Sequence, residues 1–175
     1  MTEATNADLR SLIRDLALRR ESHDRRQLYW ALIKAEILTP VRLAAAPSAI
    51  QPADLHPLDR EALGGMASFG VFTHQAAADQ WQQDEGSGVP LRLERIGFIS
   101  FLPLLLDAGA GSLYLNPSAK YSGELYRHEL ETCLEGSRKL ARRQREVSVE
   151  KTAEPEPKQE EAPPSKWSRW FGWLR

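Results

Sequence analysis

The sequence contains one cysteine, Cys133, among its 175 residues. That excludes an intramolecular disulfide framework and any zinc site built from several thiolates. It also has almost no net charge: 23 Lys and Arg against 24 Asp and Glu leave a formal −1. No overall basic field is therefore present to hold a polyanion, and nucleic acid is not an expected partner. No apolar run reaches the roughly 18 residues of a membrane span; the most apolar stretch, residues 98–106 (FISFLPLLL), falls far short. The opening MTEATNADLRSLIRD is polar and lacks the apolar core of a targeting segment. The expectation is a cytoplasmic protein, peripheral to the inner membrane at most, with no cofactor, no metal and no catalytic residues.

What is present is periodicity. Leu9, Leu12, Ile13, Leu16 and Ala17 recur at three- and four-residue spacings, which predicts an amphipathic helix within residues 1–22. A second helix opens at Asp24, with Gln27 placed to complete a capping box, and turns Leu28, Ala31, Leu32 and Ala35 inward. Residues 37–43 (ILTPVRL) read as an edge strand, because Pro40 has no amide for a central ladder. Residues 44–65, with X-Pro steps at Pro47, Pro52 and Pro57, read as a surface excursion. A strand at 67–72 then leads through Thr73, a predicted helix cap, into a helix closing on Trp81 and ended by Gly86 and Gly88. A strand to about Ile96, a buried helix over 98–106 containing Pro103, a turn at Asp107–Gly111 and a short strand to Asn116-Pro117 follow. The last predicted helix is capped by Ser122 and runs from Gly123 to about Glu146, with Leu125, Leu130, Leu134 and Leu140 on its apolar side.

The ordered blocks LYWALIKAEILTPV (28–41), FTHQAAADQW (72–81) and LPLLLDAGAGSLYLNP (102–117) resemble the SseB-type domain, named for enhanced serine sensitivity. The resemblance spans roughly residues 25–122, with His74 standing where the family pattern has Ser. It implies an α/β (α+β) fold: a small mixed sheet with flanking helices. To this the chain adds an N-terminal helical extension and a disordered C-terminal tether. The domain is taken as residues 23–149. The family brings no catalytic constellation to carry over.

Each candidate site has a structural reading beside the functional one. Phe72, Thr73, Trp81 and Asn116 could line a cleft beside a helix N-terminus, or form a strand end, a cap, a core anchor and a turn. Gly109 and Gly111 follow a helix and precede a strand, the reverse of a nucleotide-binding loop. Glu124, His128 and Glu131 would share a face of the last helix, either solvated or ligating. His23, His56 and His74 are scattered, and Cys133 sits at a helical spacing that suits a small buried residue. The basic stretch from Arg138 to Arg145 reads as a solvated helix end, beside the alternative of a contact for nucleic acid or anionic lipid, and Tyr29 and Trp30 read as one residue in the core and one at its rim, beside the alternative of a shared groove.

Beyond residue 149 the composition changes abruptly. Residues 150–164 (EKTAEPEPKQEEAPP) have too little apolar surface to offset the entropy of ordering, which predicts a disordered linker with polyproline character. Residues 165–175 (SKWSRWFGWLR) hold three of the five tryptophans. Trp167, Trp170, Phe171 and Leu174 lie at helical offsets on one face, Trp173 flanks it, and Lys166, Arg169 and Arg175 supply cations. Half-burying three tryptophans yields roughly 7 kcal/mol, most of it cancelled by ordering about ten residues at roughly 1 kcal/mol each. The peptide therefore fits weak, reversible docking on a protein partner or the inner membrane surface, strengthened by a preformed groove or by multivalency. The leading expectation is thus a non-enzymatic interaction or regulatory module. The alternative is a small-molecule sensor or enzyme using a cleft near Thr73 and Asn116.

Overall fold

The computed structural model describes residues 2–18, 25–43, 50–61, 64–85 and 90–152. Two units are distinguished, Met1–Leu140 and Ala141–Arg175, and the sheets and cores below belong to the first. In chain order the elements are α1 (Thr2–Ala17), α2 (Arg25–Ile33), β1 (Glu36–Arg42), a 3-10 turn (Pro52–Asp54), β2 (Pro57–Glu61), β3 (Ala67–Val71), α3 (Gln75–Glu85), β4 (Leu91–Gly97), α4 (Phe98–Asp107), β5 (Ala110–Leu115), β6 (Gly123–Tyr126) and α5 (Arg127–Thr152). This is the expected α+β fold with a mixed sheet, but the strands form two sheets. One is the antiparallel pair β1–β4; the other has the order β2-β3-β5-β6, with β3 and β5 parallel and the outer pairs antiparallel.

The two sheets are stitched together where β1 passes the larger one. Leu38 and Phe72 exchange N–H···O=C bonds of 2.8 Å in both directions, and the His56 amide donates to the Pro40 carbonyl at 3.3 Å. Pro40 is tolerated because the register places it at a position whose amide would point away from β4. Pairing with β4 then proceeds unbroken from Glu36 opposite Gly97 to Arg42 opposite Leu91.

β1, β3 and β5 are buried on both faces, so burial along them is continuous and does not alternate. Phe69, Val71, Leu113, Leu115 and Leu125 face one core with Leu9 and Ile13 of α1, Leu28 and Leu32 of α2, and Phe98, Phe101, Leu102 and Leu105 of α4. Leu9 and Ile13, with Leu12 and Leu16 partly buried beside them, thus make the stripe read from residues 9–17 a wall of the main core, while Ala17 at its end is exposed. A second, smaller cluster of Leu38, Leu58, Phe72, Ala77, Ala78 and Trp81 packs α3 down. Pro103 sits inside α4 on its exposed side, and the helix ends in a turn at Gly109, whose φ of +79° a residue with a Cβ would adopt only under strain.

Two expectations are corrected. Residues 44–65 are more than a surface excursion: they contain the 3-10 turn and β2, and bury Leu55 and Leu58. Of the prolines that suggest a loop, Pro52 lies at the 3-10 start and Pro57 at the first position of an edge strand, both places that tolerate a missing amide; Pro47 lies outside the described residues. The last helix, in turn, does not open at Gly123. Residues Gly123–Tyr126 form β6, which pairs Leu115 with Gly123 and Ser112 with Tyr126, and α5 begins at Arg127. Its first turn is closed by Glu129, whose Oε2 accepts the Tyr126 amide at 2.9 Å, the return half of a capping box.

Candidate functional site

The parallel strands β3 and β5 end side by side, and the segments that leave them hold the candidate cleft residues. Asn116, at φ +53°, places its amide on the Val71 carbonyl at 2.8 Å and its side chain against Thr73. The Asn116 Oδ1 accepts the Thr73 amide at 2.8 Å and lies 3.3 Å from the Thr73 hydroxyl, while Asn116 Nδ2 donates to that hydroxyl at 3.1 Å. His74 Nδ1 stands 3.0 Å from the same oxygen. Thr73 was expected to cap α3; its hydroxyl is instead turned sideways to Asn116, clamping the two strand ends together. Asn tolerates the left-handed backbone here, and its short amide reaches a neighbouring main chain from that conformation.

Phe72 and Trp81 lie beneath this clamp, ring centroids 5.4 Å apart, with His56 edge-on to the indole at 6.4 Å. All four candidate residues are buried: Phe72 at 0%, Trp81 at 2%, Thr73 at 3% and Asn116 at 3% exposure. The structure therefore brings the quartet together as two contacting pairs, one polar and one aromatic, which is what strand end, core anchor and turn require. The floor is closely filled. A Cβ on Gly70 would stand 3.0 Å from the Pro117 ring and 3.2 Å from Leu58. Burial holds the imidazoles of His56 and His74 below their usual pKa, aided by Arg42 for the first and Arg10 for the second.

A second polar cluster escaped the sequence reading. Glu129, 3% exposed, receives the Arg25 guanidinium, the Tyr29 hydroxyl and the Tyr126 amide. It ties the start of α2 to the start of α5, about a hundred residues away in sequence. Burial and the hydrogen bond to Glu129 push the Tyr29 phenol up to about 12. Burial, and then Glu129, push the Cys133 thiol to about 12, so it is an inert core sulfur. The only signal in the sequence was local, a carboxylate three residues past a helix start, and the misplaced start concealed it. Tyr29 is partly buried at the rim of the core and Trp30 is 44% exposed, so neither takes the core position expected for one of the pair.

The proposed helix face of Glu124, His128 and Glu131 does not form, because Glu124 lies in β6 and Glu131 pairs with Arg127 at 3.0 Å. Among the described residues no group of three His, Cys, Asp or Glu side chains is placed to hold a metal ion. Gly109 lies in the turn between α4 and β5 and Gly111 within β5 itself, the helix-to-strand order anticipated. Arg138, Lys139, Arg142 and Arg143 are exposed on α5. Lys166, Trp167, Arg169, Trp170, Phe171, Trp173 and Leu174 lie outside the described residues, as do His23 and residues 153–164. No helix among the described residues is long and apolar enough to cross a membrane.

Two short sheets, a clamp across parallel strand ends and a capped terminal helix define a small α+β domain with its chief polar contacts turned inward. The family model of the SseB protein N-terminal domain matches residues 9–132 of this chain. The chain therefore belongs to the SseB N-terminal domain family. The match extends well beyond the blocks that carried the resemblance, taking in half of α1, β6 and the start of α5. No curated protein matches the chain.

Proposed function

We propose that this SseB-family chain is a non-enzymatic interaction module whose last eleven residues dock, through a tethered Trp-rich face, on a protein partner or an anionic membrane surface. The observation that carries the reading is the spacing of Trp167, Trp170, Phe171 and Leu174, one apolar face of a two-turn helix fringed by Lys166, Arg169 and Arg175. A helix this short gains its order only from what it lies against. The composition of residues 153–164 supports it: α5 runs to Thr152, so the linker starts there and not at residue 150, and about 12 residues span roughly 19 Å as a coil and up to about 37 Å as polyproline II. The mutual saturation of Thr73 and Asn116 supports the non-enzymatic part, since those are the polar groups a strand-end cleft would have to offer.

Co-sedimentation with vesicles containing anionic lipid, and pull-down from lysate, are compared for the full chain and a chain lacking residues 165–175. The full chain is expected to be retained and the truncated one lost; equal retention overturns the reading. Association with vesicles that disappears at high salt identifies the membrane surface, because each cation near an anionic leaflet contributes about 1 kcal/mol that salt screens.

A further inference from the structure

The described strands leave one long edge with no strand beside it. In the larger sheet the edges are β2, which starts at Pro57 and carries a bulge against β3, and β6, which has four residues. Both are of the kind that resists edge-to-edge pairing. In the smaller sheet the outer side of β1 is closed by the bridges Leu38–Phe72 and Val41–Leu55. β4 differs from all of these. It has seven residues in unbroken register, with no proline and no lysine.

The ladder fixes which backbone groups of β4 face outward. Leu38 exchanges its bonds with Phe72, so its amide and carbonyl point away from β4, and the direction alternates along a strand. Ile37, Thr39 and Val41 therefore turn toward β4 and engage Ile96, Glu94 and Arg92. The flanking bonds agree: Leu43 N–H reaches the Pro90 carbonyl at 3.2 Å, and Phe98 N–H the Ala35 carbonyl at 3.0 Å. Leu91, Leu93 and Arg95 are left directing their amides and carbonyls away from β1.

We infer that β4 pairs antiparallel with β4 of a second copy of this chain, about a twofold axis through Leu93. In that register Leu91 opposes Arg95 of the second copy and Leu93 opposes itself, so each outward-facing residue meets another and exchanges two hydrogen bonds with it. Arg92 then faces Glu94 of the second copy, once on each side of the axis. These are the non-hydrogen-bonded pairs, in which opposing side chains stand closest. The charge pattern selects both the occupant and the register. Centring the pair on Arg92, Glu94 or Arg95 would set like charges against each other on the axis, which destabilises a cross-strand pair. The interacting side chains are also positioned in advance. Within one chain Arg92 Nε lies 2.6 Å from Glu94 Oε1, and both side chains are partly buried, so association joins two existing ion pairs into one network. The two-stranded β1–β4 sheet becomes four-stranded across the two copies.

Sedimentation equilibrium on the full chain tests the assignment, with thermal melts confirming that each variant folds. The wild-type chain is expected to dimerise. Glu94→Arg sets arginine against arginine at both places and should weaken the dimer by about tenfold or more. The double swap Arg92→Glu with Glu94→Arg restores opposite charges, within the chain and across the axis, and should return the dimer to near wild-type strength. Arg92→Glu alone reads the same repulsion with the signs reversed, should Glu94→Arg fail to fold. A chain that stays monomeric at millimolar concentration overturns the inference, and so does a dimer indifferent to these charge reversals.

Discussion

Asn116 serves two purposes that substitution can separate. Its backbone sits at φ +53°, and its side-chain amide carries the bonds to Thr73 that clamp the ends of β3 and β5. Glycine keeps the backbone and removes the clamp, whereas alanine loses both. Leaving the Thr73 amide and hydroxyl without their buried partner costs about 1–3 kcal/mol, and the left-handed backbone adds about 1 kcal/mol for a residue with a Cβ. Asn116→Gly should therefore lower stability by about 2 kcal/mol in urea unfolding, and Asn116→Ala by about 1 kcal/mol more. An alanine variant as stable as wild type would show that neither the clamp nor the strain matters. The residue types at 72, 73, 81 and 116 were legible in the sequence as a group, because a strand end, a turn and an indole are local signals. That Thr73 turns to Asn116 and not onto α3 was not, since it depends on two strands becoming neighbours across 43 residues.

The start of α5 shows the same division at the level of an element. Leucine spacing marked a helix there, but residues 123–126 were absorbed into it because a four-residue strand with one leucine has no periodicity of its own. β2 was lost for a similar reason, its single buried Leu58 lying among Pro57, Asp59 and Arg60. What fixes both strands is pairing with β5 and β3, which composition does not record. The true boundary makes Glu129 the return residue of the cap, and its bond to the Tyr29 hydroxyl has a consequence at high pH. In the folded protein the phenol titrates near 12 against an ordinary 10.0. The native state thus holds a proton that the unfolded chain has lost, and stability present below pH 10 falls as pH rises from about 10 toward 12. Glu129→Gln removes the charge that helps burial hold the proton in place. Ultraviolet titration should then place the Tyr29 phenol below about 12, with the alkaline loss of stability confined to a narrower window; an unchanged phenol would assign the whole shift to burial.

For the molecule as a whole, the pairing of β4 and the docking of residues 165–175 are separate proposals, but together they make a quantitative claim. On those proposals one Trp-rich peptide would bind weakly, because ordering it cancels most of what its tryptophans gain. Two peptides carried on one dimer would bind the same surface with the second encounter made intramolecular, which raises overall avidity by roughly 10² to 10⁴ without any new contact. Glu94→Arg leaves residues 165–175 untouched, yet by splitting the dimer it should lower apparent affinity for anionic vesicles at least tenfold. The Arg92→Glu, Glu94→Arg swap should recover that affinity. Deleting residues 165–175 should abolish vesicle binding in the dimer while leaving the thermal midpoint of the domain unchanged, because on this account the tryptophan face is held for an external surface and contributes nothing to folding. A midpoint that falls on truncation would mean that the peptide stabilises its own chain. Vesicle affinity that ignores Glu94→Arg, with the dimer measurably lost, would mean that a single peptide suffices.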